Sequence, residues 1–341
     1  MSGMVRQRAL TIASVSLAVG FLLAVGVLYF ERGLVPGDAL TYLAAGERLN
    51  LGHPLYALSP GDRPVELKPP YWSVPLLSPP LVAVIWRPLA ALPNEWGLPV
   101  WWVVTGGSIV TSIALLLRRR PRLTSAALLA LDIPLIYEIG VANLNGLLMA
   151  GTLGAWLLLR QRRDLAAGGL IGLMVAAKLF PAILGWWLLT QRRWQGVAGA
   201  IAAGVAALLV GILGAGLDAH LDYLSIARST ATIGASDLSL AGLARAVGFP
   251  SSIAALVPAA TLVLGCLGIL VLRRRPAWAY ALGVVTAVLG SPVVNINWYA
   301  YLLMALVPFA WPPGGRTTAR GPQRSDQRGP SPNRVRSGSR P

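Results

Sequence analysis

Cysteine is nearly absent from this sequence: Cys266 stands alone, inside an apolar run. No disulfide can close within one chain, and no cysteine-based metal site can be assembled. Histidine is as scarce, with only His53 and His220, which excludes a histidine-rich centre. Charged residues make up 12% of the 341 positions, against about 25% in a soluble domain. Glycine loops for nucleotides are missing too. There is no Gly-x-x-x-x-Gly-Lys-Ser/Thr and no Gly-x-Gly-x-x-Gly, so neither ATP nor NAD use is signalled. No His-Glu-x-x-His for an intramembrane zinc protease occurs, no Ser/His pair for acyl transfer is visible, and no Asp-x-Asp for a metal-bound nucleotide sugar is found.

What is abundant is apolar surface. Hydrophobic residues reach 55%, and mean hydropathy is +0.63. A water-soluble globule cannot hide that much, and a disordered chain shows the opposite balance. The apolar runs are unbroken instead of alternating, which argues against a membrane β-barrel. The fold class expected is all-α: a polytopic bundle of transmembrane helices. Formal net charge is +16, a value that suggests nucleic acid at first sight. Its distribution points elsewhere, and no nucleic-acid partner is expected. Residues 313–341 carry seven Arg and one Asp, and much of the remainder sits in short clusters between apolar runs. These are Arg118-Arg119-Arg120, residues 160–163, Arg192-Arg193 and Arg273-Arg274-Arg275. Such clusters stay in the cytoplasm and set topology.

Two regions are expected: a membrane domain over 1–312, with a first outer loop at 31–72, and a disordered, basic, cytoplasmic tail over 313–341. The run 9–30 follows Arg6 and Arg8, is too long for a typical signal-peptide core, and reads as a retained first span with its N-terminus inside. Within the outer loop, 38–49 has helical spacing and is expected to lie as an amphipathic helix on the outer membrane face. Seven prolines between 69 and 93 make a regular span there unlikely and predict a broken or re-entrant element. Further apolar runs cover 96–117, 123–139, 144–159, 165–190, 197–217, 253–272, 277–289 and 298–311. The run 165–190 has an Arg cluster at each end and Lys178 and Pro181 in the middle, so a hairpin entering and leaving on the cytoplasmic side is expected. Four polar pieces then face outside: 31–72, 138–145, 218–245 and 291–298.

Chemistry concentrates at a few places. Asp38, with Tyr42 and the following Gly52-His53-Pro54-Leu55-Tyr56, places a carboxylate just outside the first span, where it could act as a general base or simply begin a helix. Lys178 is a cation at membrane depth, which needs an anionic partner: a lipid-linked phosphate, or Asp132 or Glu138 on a neighbouring helix. Asp132 and Glu138 themselves read as a helix break and an end-of-helix acid. Asn143 and Asn145 start a span and are explained by capping. Asn295, Asn297 and Trp298, after Ser291-Pro292, suit sugar contacts as well as interfacial anchoring. Arg63 and Lys68 are further cations of the outer loop.

Taken in order, these pieces resemble the polyprenol-phosphate-sugar-dependent glycosyltransferases of family 87, membrane enzymes of the GT-C fold. The matching pieces are Gly37-Asp38-Ala39-Leu40-Thr41-Tyr42 with Gly52-His53-Pro54-Leu55-Tyr56, Pro79-Pro80-Leu81-Val82, Arg87-Pro88-Leu89, Asn143-Leu144-Asn145-Gly146, Ala177-Lys178-Leu179-Phe180-Pro181, Ser239-Leu240-Ala241-Gly242 and Ser291-Pro292. The chain departs from the family in having Asn143 where Gln is usual and no His after Ser291-Pro292. The resemblance implies a multi-pass enzyme of the cell membrane, both termini cytoplasmic and the active site facing outside. It would move mannose from a polyprenyl-phosphate donor, with inversion, to a glycolipid or polysaccharide hydroxyl. Asp38 would be the catalytic base. Lys178, Tyr42, His53, Tyr56, Arg63, Lys68, Asn143, Asn145, Asn295, Asn297 and Trp298 would bind substrate. No cofactor and no metal are expected, since the donor carries a monophosphate and the region offers few carboxylates. A transporter or flippase of lipid-linked envelope intermediates, or a non-catalytic scaffold, is the competing reading.

Overall fold

Backbone in hydrocarbon must satisfy its own hydrogen bonds, so apolar runs of this kind fold as helices. The computed structural model describes residues 36–65, 75–233 and 238–312, and among these residues the chain is helical, with no strand. The expected span 9–30, Lys68 and the basic tail lie outside the described residues.

Helix α1 (Gly37–Leu51) closes at Gly52, whose φ of 75° turns the chain out while its N–H caps the Arg48 and Leu49 carbonyls. Among the prolines, α2 (Pro80–Ala90) forms in spite of Pro88, starting on a proline as helices tolerate. It is followed by α3 (Asn94–Arg119). The run expected at 123–139 is divided into α4 (Pro121–Ala130) and α5 (Asp132–Val141), bent by 73° at Leu131, just before Asp132-Ile133-Pro134. Next come α6 (Asn145–Arg160), α7 (Asp164–Ala177), α8 (Ala182–Thr190) and α9 (Trp194–Ile233). Then follow α10 (Leu240–Ala246), α11 (Ser251–Ala254), α12 (Val257–Val271) and α13 (Pro276–Leu289). A 3-10 stretch, Ile296–Leu306, and the short α14 (Val307–Ala310) complete the described chain. Three stretches, Trp96–Arg119, Trp194–Arg228 and Ser251–Arg274, are long and apolar enough to cross a bilayer, and the bent α4–α5 pair makes up to a fourth. The protein is an all-α, multi-pass membrane bundle.

The outer polar piece expected at 218–245 is helical as far as Ile233. Gly216 breaks α9 with φ 86° and ψ 161°, and the helix resumes beyond it. His220 Nδ1 lies 2.9 Å from the Gly216 carbonyl, so a side chain secures the turn that the glycine opens.

The four Arg clusters share one end of the bundle. Arg120 donates to the Phe309 carbonyl (3.1 Å), and the Trp156 indole to the Trp311 carbonyl (2.8 Å). Arg193 reaches both the Leu159 carbonyl and Asp164, the latter at 2.7 Å, and Gln191 donates to the Arg273 carbonyl. The Arg193–Asp164 ion pair joins the start of α7 to the residues after α8. The pair α7–α8 is therefore a hairpin whose turn, 178–181, lies at the far end. Helix α9 then runs alongside α7 in the same direction, with Gly168 against Gly196 and Gly172 against Ala200. Its first limb ends near Gly214, whose carbonyl accepts from Arg87 of α2.

Contact between α7 and α9 is backbone to backbone. A Cβ on Gly168 would meet the Gly196 carbonyl, and one on Gly172 the Ala200 carbonyl. Small residues permit this approach, and packing, in place of water exclusion, holds membrane helices together. Gly172→Leu is therefore expected to push α7 away from α9 and destabilise the protein by about 1–3 kcal/mol or more. A thermal-shift measurement in detergent with an unchanged midpoint would contradict this packing. The hairpin is held from its other side by a buried aromatic group in which Trp187 meets Trp156 and Tyr280.

Candidate active site

The turn between α5 and α6 is built under strain. Ala142 takes a left-handed conformation, φ 50° and ψ 48°, which costs a residue with a Cβ about 1–2 kcal/mol. Two indoles of α3 hold it there: Trp101 donates to the Ala142 carbonyl (2.8 Å) and Trp102 to that of Ile139 (3.0 Å). As a result Asn143 and Asn145 turn inward and are buried. Asn143 Oδ1 accepts from the Asn145 backbone N–H at 3.1 Å, so its side chain is oriented by its own turn.

Around this turn lies a chain of polar side chains from five parts of the fold. Asn143 donates through Nδ2 to Asp38 Oδ2 at 2.7 Å. Lys178 donates to Asn143 Oδ1 (3.1 Å) and to Asn145 Oδ1 (2.9 Å). Asn145 and Asn297 both donate to Glu138 Oε2, at 2.9 and 2.8 Å. Those two bonds fix which way each amide faces, and for Asn145 they aim the oxygen at the lysine. The Lys178 ammonium lies 3.8 Å from the centroid of the Trp298 ring, with Phe180 further off at 5.7 Å. A cation over an indole face gains electrostatic stabilisation in a desolvated site. Asp38 and Lys178 are thus one amide apart, both held by Asn143.

Lys178 is brought here by the hairpin. Its own N–H makes the last bond of α7, to the Met174 carbonyl, and its backbone is extended (φ −158°, ψ 128°). Its side chain is 9% exposed, and among the described residues it forms no ion pair. Asp132 is exposed and accepts from the Ile133 N–H instead. Glu138 is reached only through Asn145. Asp38 does not cap its helix: the cap position of α1 is Pro36, with no side-chain bond. Its carboxylate faces Asn143, 105 residues away.

Of the residues expected at the site, Asp38, Asn143, Asn145, Lys178, Asn297 and Trp298 come together. Tyr42 is buried one turn further along α1, against Trp86 and Trp101. The others lie apart. Tyr56 donates to the Ser78 carbonyl (2.7 Å) and stacks on Tyr223. His53 pairs with Asp62 at 2.7 Å, and Arg63 with Glu47 through two bonds. Burial acts to raise the Asp62 pKa, but the hydrogen bonds from the Ser59 N–H and His53 outweigh it and hold that carboxyl below its ordinary value. Asn295 is exposed at the foot of the 3-10 stretch. Glu138, read from sequence as an end-of-helix acid, is instead buried at the centre of the network, 1% exposed. The signal that could have found it is the cost of a carboxylate inside an apolar segment, which is met only where partners wait.

An apolar cavity of about 490 Å³ opens between α2, α7, α8 and α9, lined by Leu179, the residue after Lys178, and by Ala176, Ala182, Ile201 and Leu208 among others. Among the described residues no group of three His, Cys, Asp or Glu stands close enough to hold a metal ion.

Fold and site together define a multi-pass membrane protein with a buried polar centre, in which the Asp38 carboxylate and the Lys178 ammonium meet the same amide, Asn143. Residues 77–293 match the model of glycosyltransferase family 87, and the chain belongs to that family. It is a membrane glycosyltransferase. Glu138, Asn143, Asn145 and Lys178 fall inside the matched segment, whereas Asp38, Asn297 and Trp298 join it from outside. Comparison with curated proteins and with solved structures yields no match.

Proposed function

We propose that this glycosyltransferase moves mannose from a polyprenyl-phosphate donor to a hydroxyl of a glycolipid or polysaccharide. The observation that carries the reading is Asn143 holding Asp38 on one side and Lys178 on the other. This arrangement supports a reading with Asp38 as general base and Lys178 as the cation for the leaving phosphate, at the two ends of one reacting centre. Asp38 takes the proton from the acceptor hydroxyl as its oxygen attacks the anomeric carbon. The bond from that carbon to the phosphate oxygen breaks, and polyprenyl phosphate departs with the electron pair. A single displacement inverts the anomeric centre. The leaving phosphate needs no proton, because its pKa is low, and the Lys178 ammonium offsets its charge in a water-poor site. The apolar cavity beside Leu179 suits the first isoprene units of the donor.

Orientation follows from charge. The four Arg clusters meet at one end, and the positive-inside rule favours the cytoplasmic side for that end. The α7–α8 turn and Asp38 then face outside, where lipid-linked sugars are used. Membranes containing the protein, incubated with radiolabelled polyprenyl-phosphate mannose, are expected to transfer label to a more polar glycolipid or polysaccharide product. Label that merely changes leaflet, with no new product, would favour a flippase and overturn the transferase reading.

A further inference from the structure

The end of the bundle that gathers the Arg clusters carries a groove of its own. At the corner between α3 and α4 it opens with a volume of about 720 Å³, lined by Arg119, Arg120 and Arg122 and by Leu123, Trp278 and Phe309 among others. All three arginines are exposed, so their donors are within reach of a ligand. The corner itself brings them together. Arg119 is the last residue of α3, Arg120 leaves the helix with φ −140° and ψ 65°, and Pro121 begins α4 at once. Nothing in the proposed transfer step uses this groove.

Its charge is unbalanced. No carboxylate lines it, and among the described residues none of the three arginines forms an ion pair. Two of them are steadied by neutral partners instead. Arg120 donates through Nε to the Phe309 carbonyl at 3.1 Å, and the Arg119 guanidinium stands 5.9 Å from the centroid of the Trp311 ring. Like charges at one corner repel, and an anion shared among them offsets that cost. A guanidinium fork matches the paired oxygens of a phosphate. The chain's own continuation does not supply the anion: residues 313–341 carry seven Arg and one Asp, a charge of the same sign.

The apolar lining says which kind of phosphate fits. Trp278 of α13 is 58% exposed and Leu123 of α4 is 47% exposed, and Trp278 meets the Phe309 ring edge-on at 4.7 Å. Exposed apolar side chains beside exposed arginines suit an amphiphile, with its charge toward water and its hydrocarbon along the rings. A free phosphate would leave the apolar lining unused. A zwitterionic headgroup would bring a cation toward three arginines. A lipid whose headgroup is negative overall meets neither objection, and basic pockets between helices at the membrane surface are suited to such headgroups.

We propose that this groove binds the phosphate of an anionic glycerophospholipid, with the start of an acyl chain against Trp278 and Leu123. The orientation argued above makes it a lipid of the cytoplasmic leaflet, but the binding depends neither on that orientation nor on the transfer reaction. The test is native mass spectrometry of the full chain released from detergent, titrated with phosphatidylglycerol, phosphatidylcholine and glycerol 3-phosphate. Phosphatidylglycerol is expected to bind about tenfold or more tighter than phosphatidylcholine, the scale of two or more arginines attracting one anionic headgroup. The double variant Arg119→Gln/Arg122→Gln is expected to remove about that factor. Arg160→Gln/Arg162→Gln, which takes the same charge from another exposed cluster at this end, should keep it. Trp278→Ala should weaken phosphatidylglycerol and leave the feeble binding of glycerol 3-phosphate unchanged. Every substituted side chain is exposed, so folding should survive; if the first double variant does not fold, Arg119→Gln and Arg122→Gln alone are each expected to lose part of the factor. The proposal is overturned if the two lipids bind alike, or if both double variants lose equal affinity, which would mean general surface charge. It is overturned too if glycerol 3-phosphate binds as tightly as the lipid, or if Trp278→Ala binds phosphatidylglycerol as the wild type does.

Discussion

Asp38→Asn is expected to lower the turnover number by about 10²–10⁴-fold, the range lost when a positioned general base is removed. The substitution is nearly isosteric. An asparagine at 38 can still accept from Asn143 Nδ2 through its carbonyl oxygen, so the 2.7 Å contact and the start of α1 survive. What it cannot do is take a proton. Folding, expression and donor binding should therefore match the wild type while transfer collapses. Asp38→Ala, which also abandons the Asn143 amide, should lose as much rate and some stability besides. The check is single-turnover transfer from polyprenyl-phosphate mannose, with thermal stability measured in parallel. Wild-type turnover in Asp38→Asn removes this carboxylate from the mechanism.

Lys178→Gln is the second large effect. The ammonium occupies a site made for it: two amide oxygens at 2.9 and 3.1 Å and the face of Trp298 at 3.8 Å. Glu138 anchors that site from behind, since its Oε2 holds the Asn145 and Asn297 amides. Removing one group that stabilises developing charge in a dry site costs about 10²–10³-fold in rate. Donor affinity should fall more than acceptor affinity if, as proposed, this charge serves the donor phosphate. Lys178→Arg should rescue only in part: a planar fork is wider than a point charge and cannot keep both amide contacts and the indole face at once. Separate titrations of donor and acceptor decide the matter. An equal loss for both substrates, or full activity in Lys178→Gln, would leave the lysine as a structural cation only.

The membrane class, the helical character, the bend near Asp132 and the hairpin about Lys178 were all legible in the sequence. Composition, unbroken apolar runs, proline and arginine clusters are local signals, and the bilayer converts them directly into helices and turns. Asp38 and Lys178 also stood out, because charge beside or within an apolar run is costly enough to need a reason. Partnership was not legible. Asp38 meets Asn143 across 105 residues, and Asn297 meets Glu138 across 159. Nothing in the neighbourhood of either residue encodes the other, since a hydrogen bond depends on where two helices cross and how each side chain is turned. For the same reason His53 and Arg63 looked like companions of Asp38 when read along the chain. The rise of α1 carries them to its opposite end, where they pair with Asp62 and Glu47. By itself the sequence determined that helices would form and where they would break. Tertiary structure alone decided which polar groups would share a site, because only packing brings distant residues within a hydrogen bond.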